Sequence, residues 1–333
     1  MKPLSEIIKT RPFSIFQALF VTILWSSSWP IMKLGLEEIP PLFFAGLRYF
    51  IASLILVTIV LVTPKNRKVI ATIPRKWWLR FVIYGLIFYS FTQGAQFVAI
   101  LYLEDTITVS LLLSFTPILV LILAIFFIKE KPNLAQILFV LTALVGALLY
   151  FHPFVEIQTS LTGLIGLIAA IVGLVANALS TIMGRAINKV QEYNPLVVTT
   201  ISMLIGSVVL LVSGIIFEEI PVLSLTSIGY ILWLSFVNTA FAFTLWNNVM
   251  QKLQAVEISI INNTMLVQIA ILALIFLNER PSIQEWIGVS IVAVSALLLQ
   301  IFKPKRDESQ LFPFKKTEEI ALIEKEFQSS DTK

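Results

Sequence analysis

Long apolar runs, broken by short polar connections, recur along almost the whole chain. A helix that crosses the hydrocarbon of a bilayer needs ~20 mostly apolar residues. Ten such spans can be marked, at about 14–32, 41–62, 78–101, 106–128, 134–151, 160–183, 195–216, 228–250, 256–277 and 284–302. The runs are continuous, which excludes an outer-membrane barrel, whose strands alternate with period two. The fifth, Leu134 to Phe151, is the shortest and is expected to sit with little tilt. Short connections make successive spans antiparallel. The pattern predicts an all-α polytopic membrane protein with ten transmembrane helices.

Composition points the same way. The chain is 57% hydrophobic and 13% charged, against about a quarter charged in soluble proteins. It has no cysteine and a single histidine, His152, so a disulfide, a thiolate site or a histidine cluster is excluded. No metal and no cofactor are expected. The first span lacks a short apolar core ending at a small-residue cleavage site, so no cleavable signal peptide is expected.

The formal net charge is +4, and its distribution reports orientation rather than nucleic-acid binding. With the N-terminus in the cytoplasm, the inner segments hold Lys2, Lys9, Arg11, Lys65, Arg67, Lys68, Arg75, Lys76, Lys129, Lys131, Arg185, Lys189, Lys252, Lys303, Lys305 and Arg306. The outer connections hold Lys33 and Arg280. Both termini are therefore expected inside. Acids mark the outer hairpins instead, as Glu37–Glu38, Glu104–Asp105 and Glu218–Glu219, while Trp77 and Trp78 are expected as anchors at the inner interface. Residues 303–333 are polar and read as a cytoplasmic tail of low order. Its one weakly amphipathic stretch is Ile320 to Phe327.

Self-comparison adds an internal repeat. PPLFFAGLRYFIASLILV from Pro40 resembles NPLVVTTISMLIGSVVLL from Asn194, and IKEKPNLAQ from Ile128 resembles LNERPSIQE from Leu277. The second match pairs Glu130 with Glu279 and Pro132 with Pro281, and GALLYF from Gly146 continues it to SALLLQ from Ser295. Each half then has five spans, and an odd number forces the second copy into the membrane upside down. The basic connection at Lys65 to Lys76 accordingly corresponds to the acidic Phe217 to Ser227. Inverted repeats mark secondary transporters, with the substrate near midplane where the repeats meet. The expected organisation is an N-terminus at 1–13, a first repeat at 14–151, an extracytoplasmic linker at 152–159, a second repeat at 160–302 and the tail.

These segments also resemble a known family. LWSSSWPIMKLGL followed by PPLFFAGLRYFIASLIL, from Leu24 to Leu56, resembles the first helical hairpin of the ten-helix EamA-type transporters of the drug/metabolite transporter superfamily. TPILVLILAIFFIKEKP resembles that family's fourth helix, and GYILWLSFVNTAFAFTLWNNVMQKL its eighth. The resemblance covers roughly residues 14–302. It implies a 5+5 inverted-repeat fold and movement of small metabolites, amino acids or drugs, most often as export. The chain departs from the family pattern at the second-half counterpart of Pro117, where Leu266 or Val267 stands, so no proline bend carries over into the ninth span.

Polar residues inside the spans are the candidate chemistry. A charge in hydrocarbon costs at least ~2.5–3.5 kcal/mol on insertion scales, so Arg48, about 10 Å below the outer end of the second span, must face protein or water. It is either an anion-attracting group on a translocation path or a clasp pairing with Glu37 or Glu38. Its counterpart in the second half is Ser202. Lys33 reads as a snorkelling residue, or as a gate contact. In the first span Trp25, Ser28 and Pro30 surround an expected kink, because Pro30 removes the backbone bond to Ser26. Gln93, Gln96 and Phe97 fall on neighbouring helical positions and are expected on one face. Asn177, Asn238, Asn247 and Asn262 add amides, and of Trp246, Phe241 and Phe243 one is expected to line a cavity, with Trp246 as the candidate.

Amides without midplane acids suit a neutral or zwitterionic solute. Glu257, at the inner end of the ninth span, is the one acid that could be proton-linked. Glu130 with Pro132 is expected to shape a tight turn. The expected partners are a small-molecule substrate and membrane lipids, without nucleic acid, and a homo-oligomer stays open. The reading is a secondary transporter working by alternating access. The rival is a polytopic enzyme acting on lipid, for which the chain offers one His, no Cys and no clustered Asp pairs.

Overall fold

The computed structural model describes residues 10–103, 109, 112–130, 132–150, 160–276 and 282–301. Glu104, Asp105, His152, the 152–159 linker, Glu279, Arg280, Pro281 and the 303–333 tail lie outside the described residues, as do Lys2, Lys9, Lys131, Lys303, Lys305 and Arg306. The longer helical stretches, with no strand among the described residues, are numbered α1 to α10 in chain order. They are α1 Arg11–Gly35, α2 Pro41–Val62, α3 Arg75–Leu103, α4 Thr116–Phe127, α5 Leu134–Tyr150, α6 Leu161–Asn188, α7 Pro195–Phe217 and α8 Leu225–Met250. α9 has two segments, Ala255–Asn263 and Met265–Phe276, and α10 is Ile283–Ile301. Six of them, α1, α2, α3, α6, α7 and α8, are long and apolar enough to cross a membrane, and the other four are shorter and apolar. A short helix, Pro64–Ala71, occupies the basic connection after α2, where no helix was expected.

The solvation of the bundle is inverted relative to a soluble protein. Exposed positions include Leu54, Ile59, Phe126, Leu138, Ile168, Val209 and Ile216, whereas Ser26, Arg48, Ser53, Thr199, Ser202, Asn238 and Asn247 are buried. Lipid tails accept the first set, and the second needs internal partners. This is the distribution of a multi-pass membrane protein.

Helix pairing follows a rule. α2 packs on α7, α5 on α10 and α4 on α9, while α3 packs on α6 and α1 on α8. Exchanging each helix of the first five for its equivalent in the second five returns the same set of pairs. Close approach is made by small residues: a β-carbon on Gly46 would lie 2.4 Å from Leu211 Cα, and one on Gly214 2.6 Å from the Phe43 backbone, so α2 and α7 touch main chain to main chain.

Local departures from α geometry repeat as well. Leu86–Thr92 within α3 and Leu234–Phe241 within α8 are π-helical, a feature that concentrates at functional sites. α4 starts after a turn at Phe115, and α9 breaks at Thr264. The missing proline does not straighten α9, because the Thr264 hydroxyl donates to the Ile261 carbonyl at 2.6 Å and competes with the helical ladder.

Trp77 is buried rather than interfacial. It packs at 5.0 Å from Tyr193 with Arg80 over its ring, while Trp78 is exposed.

The acidic hairpins tie the halves together. α2 begins after Pro40 without a side-chain cap of its own, and Glu218 supplies one from the other half, accepting the Leu42 amide at 2.9 Å and the Phe43 amide at 2.7 Å. Free amides at a helix start attract a carboxylate. Glu218→Ala is expected to lower stability by about 1 kcal/mol, read as a lower midpoint in thermal unfolding of the detergent-solubilised protein.

Glu38 accepts hydrogen bonds from the Ser227 and Ser224 hydroxyls, at 2.5 and 2.7 Å. These bonds hold its carboxyl below the ordinary 4.5, Ser227 contributing more than Ser224. A depressed carboxylate stabilises the fold above its unfolded pKa, and that stabilisation is lost as pH falls through the folded value. Ser227→Ala should move this loss to higher pH, within the range below about 4.5, as read from unfolding midpoints against pH.

Candidate functional site

The polar positions converge on one partly open cavity. Its lining comes from α1 (Trp25, Ser28, Trp29, Met32), α2 (Arg48, Tyr49), α3 (Phe88, Thr92, Gln93, Gln96), Leu113 and Ser114 before α4, Asn177 of α6, Phe243 of α8, and Asn262, Asn263, Met265, Leu266 and Ile269 of α9. The space open to the centres of water-sized molecules is about 110 Å³. Trp25, Ser28, Arg48, Gln93, Gln96, Asn177 and Asn262 thus meet in one place.

Arg48 dominates the electrostatics. It is 2% exposed, and its Nε donates to Thr239 Oγ1 at 2.8 Å. Its guanidinium carbon lies 5.1 Å from the Tyr49 ring centre. The π-helical stretch of α8 provides this seat, because Ser235 of the same stretch donates to the Arg48 carbonyl at 2.9 Å. The expected clasp to Glu37 or Glu38 is not formed. Glu38 is engaged by the serines of the second half, and Glu37 is exposed at the hairpin tip. Among the described residues no carboxylate pairs with Arg48.

The amides divide into cavity groups and helix ties. Gln93 accepts from the Tyr49 hydroxyl at 2.6 Å, and the Asn177 amide donates to Thr116 Oγ1 at 3.4 Å. Gln96 has no hydrogen-bond partner among the described residues, and the buried Asn262 Oδ1 has none either. Asn238 instead donates to the Leu24 carbonyl and accepts from Trp25 Nε1 at 3.2 Å on its own carbonyl, joining α8 to α1. Asn247 donates to Thr199 Oγ1 at 3.0 Å and accepts from Asn188 at 2.8 Å and Tyr84 at 3.2 Å. This network ties α3, α6, α7 and α8 together behind the lining residues Phe88 and Phe243, which Tyr84 and Asn247 respectively contact.

Three other candidates stand outside the lining for geometric reasons. Phe97 follows Gln96 by one residue, about 100° round a helix, and packs edge-on against Phe44 at 5.3 Å instead of sharing the glutamine face. Pro30 is two positions past Ser28 and lies on the exposed side of α1, which stays helical through it. Trp246 packs at a tilt against Trp25, with ring centres 4.8 Å apart, and the aromatic that reaches the cavity from α8 is Phe243. Tyr49 and Phe88 belong to the lining without having been singled out in the sequence, whereas Trp29, the second tryptophan beside the expected kink, lines it too. Tyr49 had a visible signal, its place beside Arg48.

Glu257 lies away from the cavity at the start of α9. One carboxylate oxygen accepts the Gln254 amide in a capping box and the other pairs with Arg11. At the same end of the bundle, Glu130 does more than shape a turn. It forms a buried ion pair with Arg185 Nε at 2.9 Å and accepts the Ala255 amide at 3.0 Å, while Arg185 also donates to the Met250 carbonyl at 2.8 Å. One clasp therefore joins the exit of α4, the end of α6, the end of α8 and the start of α9. Among the described residues no cluster of His, Cys, Asp and Glu could hold a metal ion.

A bundle apolar outside and polar within, with a cavity lined by both halves, falls among the multi-pass membrane proteins that move small solutes. Two successive segments, residues 12–152 and 164–301, match the model of the EamA-like transporter family, and the chain belongs to that family. It is 29% identical over 282 residues to an uncharacterized transporter of Bacillus subtilis, YoaV, covering 82% of this chain and 91% of that one. It is 24% identical over 300 residues to a probable amino-acid metabolite efflux pump of Salmonella typhimurium, covering 86% and 94%. A solved crystal structure shares the fold with a TM-score of 0.72 at 16% identity, over 89% of this chain and 100% of its own.

Proposed function

We propose that the protein is a secondary transporter that exports a small metabolite, amino acid or drug across the cytoplasmic membrane by alternating access. The observation that carries this reading is the polar cavity lined by both halves of the chain, into which Arg48, Gln93, Gln96, Asn177 and Asn262 converge. In this scheme the ten helices are spans and form two inverted five-helix repeats, 14–151 and 160–302. The 152–159 linker lies outside the cell, and both termini are in the cytoplasm.

The self-consistent helix pairing and the two successive family matches support the repeat. The basic residues of the inner connections support the orientation. The clasp is then at the cytoplasmic end, where in this scheme it acts as the inner gate. Breaking the clasp as one half rocks against the other opens the cavity to the cytoplasm. The efflux description of the Salmonella relative favours export and an amino-acid-sized solute.

The test is flux into proteoliposomes across a panel of amino acids, purines, organic acids and cationic drugs. Saturable flux of at least one class is expected. No flux for any class, together with turnover of lipid, would replace the transporter by a membrane enzyme.

A further inference from the structure

We propose that the transported solute is a monoanion whose carboxylate binds Arg48, with an apolar or aromatic body and one hydrogen-bond donor, and that its passage moves net negative charge. This rests on the transporter reading above.

Arg48 is almost wholly buried, and only its Nε has a hydrogen-bond partner among the described residues. Its terminal amines belong to a group that lines the cavity, and no Asp or Glu is in that lining among the described residues. The nearby outer-hairpin carboxylates Glu38 and Glu218 are bound to hydroxyls and helix amides of their own. A buried guanidinium without a counter-ion is costly, and a carboxylate offers it two parallel charge-assisted hydrogen bonds. Binding of an anion therefore completes the site, whereas binding of a cation adds like charge to it.

The rest of the lining refines the class. Trp25, Phe88 and Phe243 give apolar and aromatic wall, and the buried Asn262 Oδ1 waits for an N–H or O–H donor. A zwitterion would find no carboxylate among the described lining residues for its ammonium. A net anion needs no proton relay to leave a cell that is negative inside, because the membrane potential itself drives it outward. This fits a cavity without a lining acid.

The experiment uses the full chain in proteoliposomes, with 4-hydroxyphenylacetate and indole-3-acetate, their primary amides, and zwitterionic tyrosine and tryptophan as probes. Charge movement is read on a solid-supported membrane, to which electroneutral permeation of a protonated acid does not contribute. The acids should give negative-charge currents that grow when the potential on the destination side is made more positive. They should also bind roughly 10- to 100-fold more tightly than the amides, the range of a hydrogen bond to a charged group. Arg48→Gln should erase the preference of acid over amide, and Arg48→Lys should keep part of it.

Should Arg48→Gln fail to fold, thermal stabilisation of the native protein by 4-hydroxyphenylacetate but not by 4-hydroxyphenylacetamide carries the same information. Equal binding of acid and amide overturns the proposal. So does flux restricted to neutral or cationic solutes, which leaves the transporter standing. Absence of flux for every class overturns both.

Discussion

Glu130→Ala is expected to lose about 3–5 kcal/mol of stability, the typical cost of removing one partner from a buried ion pair. The carboxylate serves two groups at once, Arg185 Nε at 2.9 Å and the first free amide of α9, Ala255, at 3.0 Å. Its side chain and that of Arg185 are 10% and 9% exposed, so water cannot take over either role. The truncated variant leaves a buried guanidinium held only by the Met250 carbonyl. It also weakens the support of Lys189, whose amine burial pushes below the ordinary lysine range while Glu130 opposes that shift.

The measurement is thermal unfolding, together with labelling of single cysteines placed at the clasp end of the bundle. The native chain has no cysteine, so each label reports one position. Glu130→Ala should unfold at lower temperature and label faster there. Glu130→Met with Arg185→Met should recover much of the stability, since an apolar pair of similar size requires no partners. Equal stability of Glu130→Ala and the native protein would mean that the clasp does not hold this end of the bundle shut.

The second large effect is expected at Gly85 and Gly206, where α3 crosses α7. A β-carbon on Gly85 would stand 2.3 Å from the Ser202 carbonyl oxygen, and one on Gly206 2.3 Å from the Gly85 oxygen and 2.7 Å from Tyr89 Cβ. The obstructing oxygens are main chain and cannot turn away, so the helices themselves must separate. Overpacking commonly costs about 1–3 kcal/mol, and a displaced helix pair adds the loss of the Ser90 hydroxyl bond to the Gly206 carbonyl at 2.7 Å. Gly206→Val should therefore fail to give monodisperse protein in size-exclusion chromatography. Gly229→Ala is the control: nothing lies within 4 Å of that β-carbon, and it should behave as the native chain.

The helices were legible in the sequence, because crossing a bilayer imposes length and continuous apolarity on each one. The second helix was expected at 41–62 and runs Pro41–Val62. The sequence says much less about which side of a helix faces the cavity. Lipid-facing and protein-facing positions are both apolar, so no amphipathic stripe distinguishes them. Amides are equally ambiguous: Asn262 and Gln96 face the cavity, whereas Asn238 and Asn247 bind helix to helix with the same functional group.

The π-helical stretches add a further obstacle. Each widens the turn by extra residues and rotates the remainder of its helix about the axis, and nothing in Leu86–Thr92 or Leu234–Phe241 announces this. Arg185 was visible as one more inner charge, but its pairing with Glu130 joins residues 55 positions apart. Only the packing of α4 against α6 brings them together.

The hydrogen-bond network of Tyr84, Asn188, Thr199 and Asn247 has a consequence for the cell's energy supply. Phenol, amide and hydroxyl groups hold their protons fixed throughout the physiological pH range. Proton conduction needs groups that gain and release protons in turn. On the transporter reading proposed above, this network lets the bundle hold a solute without conducting protons through it. A carboxylate substituted for Asn247 would put a titrating group into that insulation, and proton leak through vesicles would be its signature.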